Sequence, residues 1–150
     1  MNISRNTVFR YVALIGLILL SGWIGYSWLI RAPKARLTLP QLVNEFAHFE
    51  APLDARSVET YEYYKGGHAL VGKKYASTKT WKETQEHYDA ECMRFGWSPS
   101  KTETLRNWGK DYGSVTKIYK KDDLSACLTF QGSPGSTWNY SIEISWGLLH

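Results

Sequence analysis

Cysteine is nearly missing from this chain: Cys92 and Cys127 are the two among 150 residues. Two thiols so far apart provide neither zinc-finger spacing nor a disulfide framework. Acid is missing altogether from the first 36 residues, where Arg5, Arg10, Arg31, Lys34 and Arg36 leave a charge of +5. Residues 37–150 hold the other 13 basic and all 14 acidic side chains, which comes to −1. The net +4 therefore flanks one segment and does not coat a domain, which excludes a nucleic-acid surface. Internal repeats and low-complexity tracts are also missing. A hydrophobic share of 43% beside 21% charged residues excludes a disordered tail.

Catalytic signatures are missing as well. There is no Gly-x-Ser-x-Gly elbow and no His-Glu-x-x-His pair. Gly132-Ser133-Pro134-Gly135-Ser136 is rich in glycine and serine but lacks the Gly-Lys-Ser/Thr end of a phosphate loop, so it reads as a strand connection. Glu83, His87 and Glu91 fall at i, i+4 and i+8 on one helix face, where a solvated, charge-laced surface is the ordinary reading. No metal and no cofactor is expected.

The chain does possess one long apolar run. Tyr11 to Ile30 is twenty residues without a charge. As a helix it would span roughly 30 Å, the thickness of a bilayer's hydrocarbon core. Arg10 and Arg31 end it, and Phe9, Tyr11, Trp23, Tyr26 and Trp28 supply interfacial aromatics. Gly25-Tyr26-Ser27 offers a signal-peptidase site, but the apolar run continues through Trp28-Leu29-Ile30, which suits an uncleaved anchor better. Leu20-Ser21-Gly22 resembles the start of a lipoprotein box, with Trp23 where the lipid-accepting cysteine would stand. Flanking charge is close to a tie and does not fix orientation. A short basic tail, one span and a carboxy-terminal domain is the layout of a signal anchor that exports its carboxy-terminal domain. Ser21 and Gly25 form a small-xxx-small pair at which a second membrane helix can approach.

The expected organisation is a tail over 1–10, an anchor over 11–30, a basic linker over 31–38 and an α+β domain over 39–150. In that domain a first helix is predicted from Leu39 to Phe49, with Thr38 and Gln41 as its capping box. Ser57–Tyr64 and His68–Ala76 around Lys65-Gly66-Gly67 read as a β-hairpin. A second helix starts at a Thr80/Glu83 capping box and ends at Gly96, with Trp81, Tyr88, Cys92 and Phe95 on one stripe. Strands are predicted over 97–106, 114–121, 124–130 and 138–146. In the last, Trp138, Tyr140, Ile142, Ile144 and Trp146 alternate with Asn139, Ser141, Glu143 and Ser145, the pattern of a half-buried antiparallel strand. The predicted fold class is α+β: an antiparallel sheet packed on one main helix after a transmembrane helix. Cys92 is expected inside and Cys127 outside, on opposite sides of the sheet, although an exported domain leaves a disulfide open.

Tyr75-Ala76-Ser77-Thr78, Trp81, Tyr88 and Phe95-Gly96-Trp97 resemble a helix-and-strand motif of small single-span or lipid-anchored bacterial envelope proteins whose function is unassigned. The resemblance covers Leu70 to Trp146. It implies this fold, an envelope location and no catalytic residues. The expected place is therefore the bacterial inner membrane, with the domain in the periplasm.

Binding residues are sought among the aromatics. Tyr61, Tyr63 and Tyr64 lie on the hairpin, and Trp108 and Tyr112 lie in a polar stretch, 107–113, read as a loop. Large rings at a surface anchor partners or sugar rings, although they also pack sheets. The expected function is non-catalytic, through contact with a membrane or envelope protein, as an accessory subunit or an inhibitor. The alternative is a glycan- or lipid-binding module.

Overall fold

A computed structural model describes residues 5–65, 67–107, 110–132 and 137–147. It begins with α1 (Arg5–Tyr26), runs through one π turn (Ser27–Arg31) and continues as α2 (Ala32–Phe46). From Phe9 to Phe46 this is a single helix of 38 residues, long and apolar enough to cross a membrane. Nothing in its apolar window is buried against the rest of the protein.

The predicted linker is therefore helix. Pro33 reads as a breaker in sequence, but it is carried within the continuous helix, just after its π turn. The wider π turn just before it takes up the register change. Thr38 is no cap: its hydroxyl bonds back to the Lys34 carbonyl at 2.8 Å, inside the helix. Pro40 also lies within α2, on the exposed side, where water can reach the Arg36 carbonyl it leaves unbonded. The helix ends at Phe46, short of the expected Phe49, which nonetheless packs in the core.

The rest of the chain forms six antiparallel strands: β1 (Arg56–Lys65), β2 (His68–Ala76), β3 (Ser98–Asn107), β4 (Lys110–Lys121), β5 (Leu124–Phe130) and β6 (Tyr140–Trp146). Their order is β1-β2-β6-β5-β4-β3, so the last strand closes the middle of the sheet. Helix α3 (Trp81–Arg94) lies between β2 and β3 in sequence. It has the expected Thr80/Glu83 capping box. It ends at Gly96 (φ 80°), with Trp97 N–H returning to the Cys92 carbonyl at 2.8 Å and Gly96 N–H to Met93 at 3.2 Å.

Two helices cover the sheet where one was expected. Ala35, Leu42 and Phe46 of α2 and Tyr88 and Cys92 of α3 share one core with Val71, Tyr75, Leu128, Tyr140, Ile142 and Ile144. Among the described residues no helix covers the second sheet face, yet its centre is closed. Cys127, expected outside, is 2% exposed, and Ile118 and Ser145 are 1% exposed. The parity was right and the burial was not. Small Ser, Gly and Cys residues on the central strands let long neighbours fold over them: Lys120 bonds Ser125, and the Tyr61 ring lies against Gly72. Both thiols are free and stand on opposite sides of the sheet.

Candidate functional site

The apolar stretch ends at Arg31, and there the chain builds a fitted joint. The Arg31 guanidinium donates to the Gly147 carbonyl at 3.0 Å. Its Cβ would lie 2.7 Å from a Cβ placed on Gly67, and a Cβ on Gly147 would meet the Gly67 carbonyl at 2.6 Å. Both glycines have positive φ, so side chains are excluded twice, by strain and by space. Lys34 reaches Asp123 at 3.6 Å and lies 4.8 Å above the Trp146 ring, while the Trp146 indole donates to Asp123 at 2.7 Å. The tip of the β1–β2 hairpin, the β4–β5 turn and the end of β6 are thus gathered at the root of the apolar helix.

Beside this joint an open groove of about 620 Å³ runs between α2 and β1, lined by Ala32, Pro33, Arg36, Leu37 and Tyr64. No acid among the described residues lines it. Leu37 is 79% exposed and Tyr64 48%. Arg36 is exposed and makes no hydrogen bond or ion pair among the described residues.

On the helix-free face, Tyr61, Gly72, Glu143, Cys127 and Ile118 occupy one row across five strands. The Tyr61 hydroxyl crosses Gly72 and donates to Glu143 at 3.2 Å. Burial raises the Glu143 carboxyl above the usual carboxylate range, and the Tyr61 bond only partly offsets that. Burial also raises the Tyr61 phenol, with the Glu143 charge adding to it. Lys74 sits 5.6 Å from the Tyr61 ring and pairs with Glu59 at 2.7 Å.

Other titratable groups serve the fold. Burial opposes ionisation of Asp89, but bonds from Lys117, Tyr119 and Gln85 outweigh it and hold the carboxyl below its ordinary range. Asp54 accepts from the Ser77 hydroxyl and the Thr78 N–H, which lowers it to about 2. In the Glu83, His87, Glu91 ladder, Glu83 closes the capping box and His87 Nε2 contacts the Glu50 carbonyl at 2.7 Å. Glu91 faces the Glu50 N–H at 3.5 Å. Among the described residues, no group of three or more His, Cys, Asp and Glu could hold a metal. Burial pushes both thiols up to about 12, far from nucleophilic.

The aromatic residues singled out in sequence do not form one site. Tyr61 and Tyr63 share the helix-free face, Tyr61 half-buried and Tyr63 48% exposed. Tyr64 points to the other face and into the groove. Of the stretch 107–113, read as a loop, Asn107 ends β3 and 110–113 belong to β4, with Asn107 paired to Lys110. Tyr112 is thus a strand residue whose side chain lies outside the described residues, as does Trp108 altogether. On α1, the Ser21 hydroxyl bonds the Leu17 and Ile18 carbonyls, and nothing lies within 4 Å of a Cβ on Gly25. Sequence reading missed Arg31, Arg36 and Glu143 as site residues. The acid-free run containing both arginines was the available signal. Glu143 had one too, as the single charge in an otherwise apolar and serine-lined strand.

Comparison of the chain with models of known families, with curated proteins and with solved structures found no match.

Proposed function

We propose that this chain is a non-catalytic bacterial envelope protein, held in the inner membrane by Tyr11–Ile30 and acting on an envelope protein by contact. The observation that carries the reading is the joint: the apolar helix enters the domain without a break, and Arg31, Lys34 and Asp123 clamp it there. A domain so held keeps one pose against the bilayer and meets membrane neighbours at high effective concentration, so weak contacts suffice. Among the described residues of the domain, Tyr63 and Tyr64 present rings exposed for such contacts.

Purification of the full chain in mild detergent tests this. A stoichiometric protein partner supports the reading, and a clean monomer refutes it. Orientation has its own test: alkaline phosphatase fused after His150 is active if the domain is periplasmic and inactive if it is cytosolic.

A further inference from the structure

We infer that the groove between α2 and β1 seats the headgroup of an anionic phospholipid from the leaflet in which the helix ends. The inference rests on the proposed membrane anchor. Three observations carry it, and the first is position. The hydrocarbon-compatible run stops at Ile30, and Arg31 is clamped to Gly147 and Gly67, so the hairpin tip stands at the level where headgroups begin. Arg36 and Leu37 lie within six residues of Arg31, about 9 Å further along the helix, and Tyr64 adjoins the tip. A groove at that depth borders the interfacial zone, several ångströms thick on each side of the hydrocarbon core.

The second observation is charge. Of the three cations around the joint, Arg31 is turned to a carbonyl and Lys34 to Asp123, whereas Arg36 lines the groove and is left without a partner among the described residues. A guanidinium presents a planar fork of donors that suits phosphate, and no acid among the described residues lines the groove to neutralise it. The Tyr64 phenol can donate beside it.

The third observation is apolar exposure. Leu37 is 79% exposed although its helix has a full apolar stripe buried elsewhere. Together with Ala32 and Pro33 it gives the groove an apolar floor next to Arg36. An amphipathic occupant with a negative head matches that lining, and the adjacent leaflet supplies one without diffusion through water. At about 620 Å³ the groove lies within the range of small-molecule sites.

The test reconstitutes the full chain into phosphatidylcholine bilayers containing trace spin-labelled lipid, either phosphatidylglycerol or phosphatidylcholine. The readout is the immobilised fraction of each label. We expect a several-fold preference for phosphatidylglycerol, lost in Arg36→Gln, partly kept in Arg36→Lys and unchanged in Arg56→Gln. Arg56 is the matched control, at the opposite end of β1. A preference that survives Arg36→Gln overturns the proposal. So does one that falls equally in Arg56→Gln, since it would report diffuse surface charge. Near-ultraviolet circular dichroism of each variant verifies that the domain is folded. Carbonate extraction separates the two levels of inference. A chain released by carbonate refutes the anchor and the seat together, whereas one that resists carbonate and shows no lipid preference refutes the seat alone.

Discussion

Replacing Gly72 with alanine should destabilise the domain, and the sign of that effect should reverse when Tyr61 is also removed. A Cβ on Gly72 would sit 2.8 Å from Cε2, Cζ and Oη of Tyr61. Carbon atoms pack best at about 3.5–4.0 Å, so the ring must move by roughly an ångström. Once displaced, it gives up the 3.2 Å bond to Glu143 and the Lys74 contact at 5.6 Å. A hydrogen bond to a charged acceptor contributes about 1.5–3 kcal/mol, at the low end for so long a bond, and the cation–π contact about 0.5 kcal/mol. Against this, alanine is better than glycine in a strand by roughly 0.5–1 kcal/mol. The net loss is about 1–2 kcal/mol, or several degrees of Tm in a domain of this size. In a Tyr61→Ala background no ring is displaced, and Gly72→Ala should be neutral or stabilising by up to about 1 kcal/mol. Thermal unfolding of the full chain in detergent, followed by near-ultraviolet circular dichroism, measures all four corners of the cycle. Equal destabilisation by Gly72→Ala in both backgrounds would refute the argument.

Glu143 supplies a pH test. Its folded-state pKa is raised, so its contribution to stability is full below the ordinary value of 4.5 and is lost as pH rises through the folded value. Glu143→Gln keeps an acceptor for Tyr61 and should match the wild type near pH 4, then become the more stable of the two as pH rises from 4.5 through the folded value, above which the gap is constant. A gap that does not change with pH removes the buried charge from the account. Asp54 has the opposite sign: held near 2, it stabilises above its ordinary 3.8, and that contribution fades as pH falls from about 4 towards 2, which Asp54→Asn should abolish. Ile142, with no exposure, should cost about 2–5 kcal/mol as alanine. Asn139→Ala should cost more than an outward-facing strand residue, about 1–2 kcal/mol, because its amide accepts from Ser77 N–H at 2.8 Å and donates to the Ser77 carbonyl. Denaturant midpoints check both. Finally, a fragment beginning at residue 31 should unfold at a higher temperature than one beginning at 37, since the shorter piece loses the fully buried Ala35 and the Arg31 and Lys34 contacts. Equal midpoints would make the joint an ornament of the fold.

The features legible in the sequence were local. The Thr80/Glu83 box and Gly96 at the end of α3 each depend on residues a few positions apart, and both stand in the structure. The strand from Tyr140 to Trp146 stands too, but the expected half-burial does not: Ser141 and Ser145 are buried along with the apolar residues. The Thr38/Gln41 pattern was equally local and misled, because a threonine inside a helix satisfies its hydroxyl on the carbonyl four residues back. Nothing near Thr38 reveals that a helix already arrives from the apolar run upstream. Asn107 and residues 110–113 looked like loop for a similar reason: they carry no alternation, and only the pairing of β3 with β4 makes them strand.

The candidate site was hidden for a further reason. Whether Cys127 is buried depends on long side chains from other strands, and whether Arg36 is free depends on what Arg31 and Lys34 find at Gly147 and Asp123, more than eighty residues away. Composition located the basic cluster but could not rank its members. The joint ranks them. Two of the three cations are spent in fixing the helix to the sheet, and that same fixation places the third beside an exposed leucine and a tyrosine at the end of the apolar run. The clamp and the groove are therefore consequences of one arrangement: Gly67 and Gly147 leave room for Arg31, Arg31 seats the hairpin tip, and the seated tip brings Tyr64 opposite Arg36.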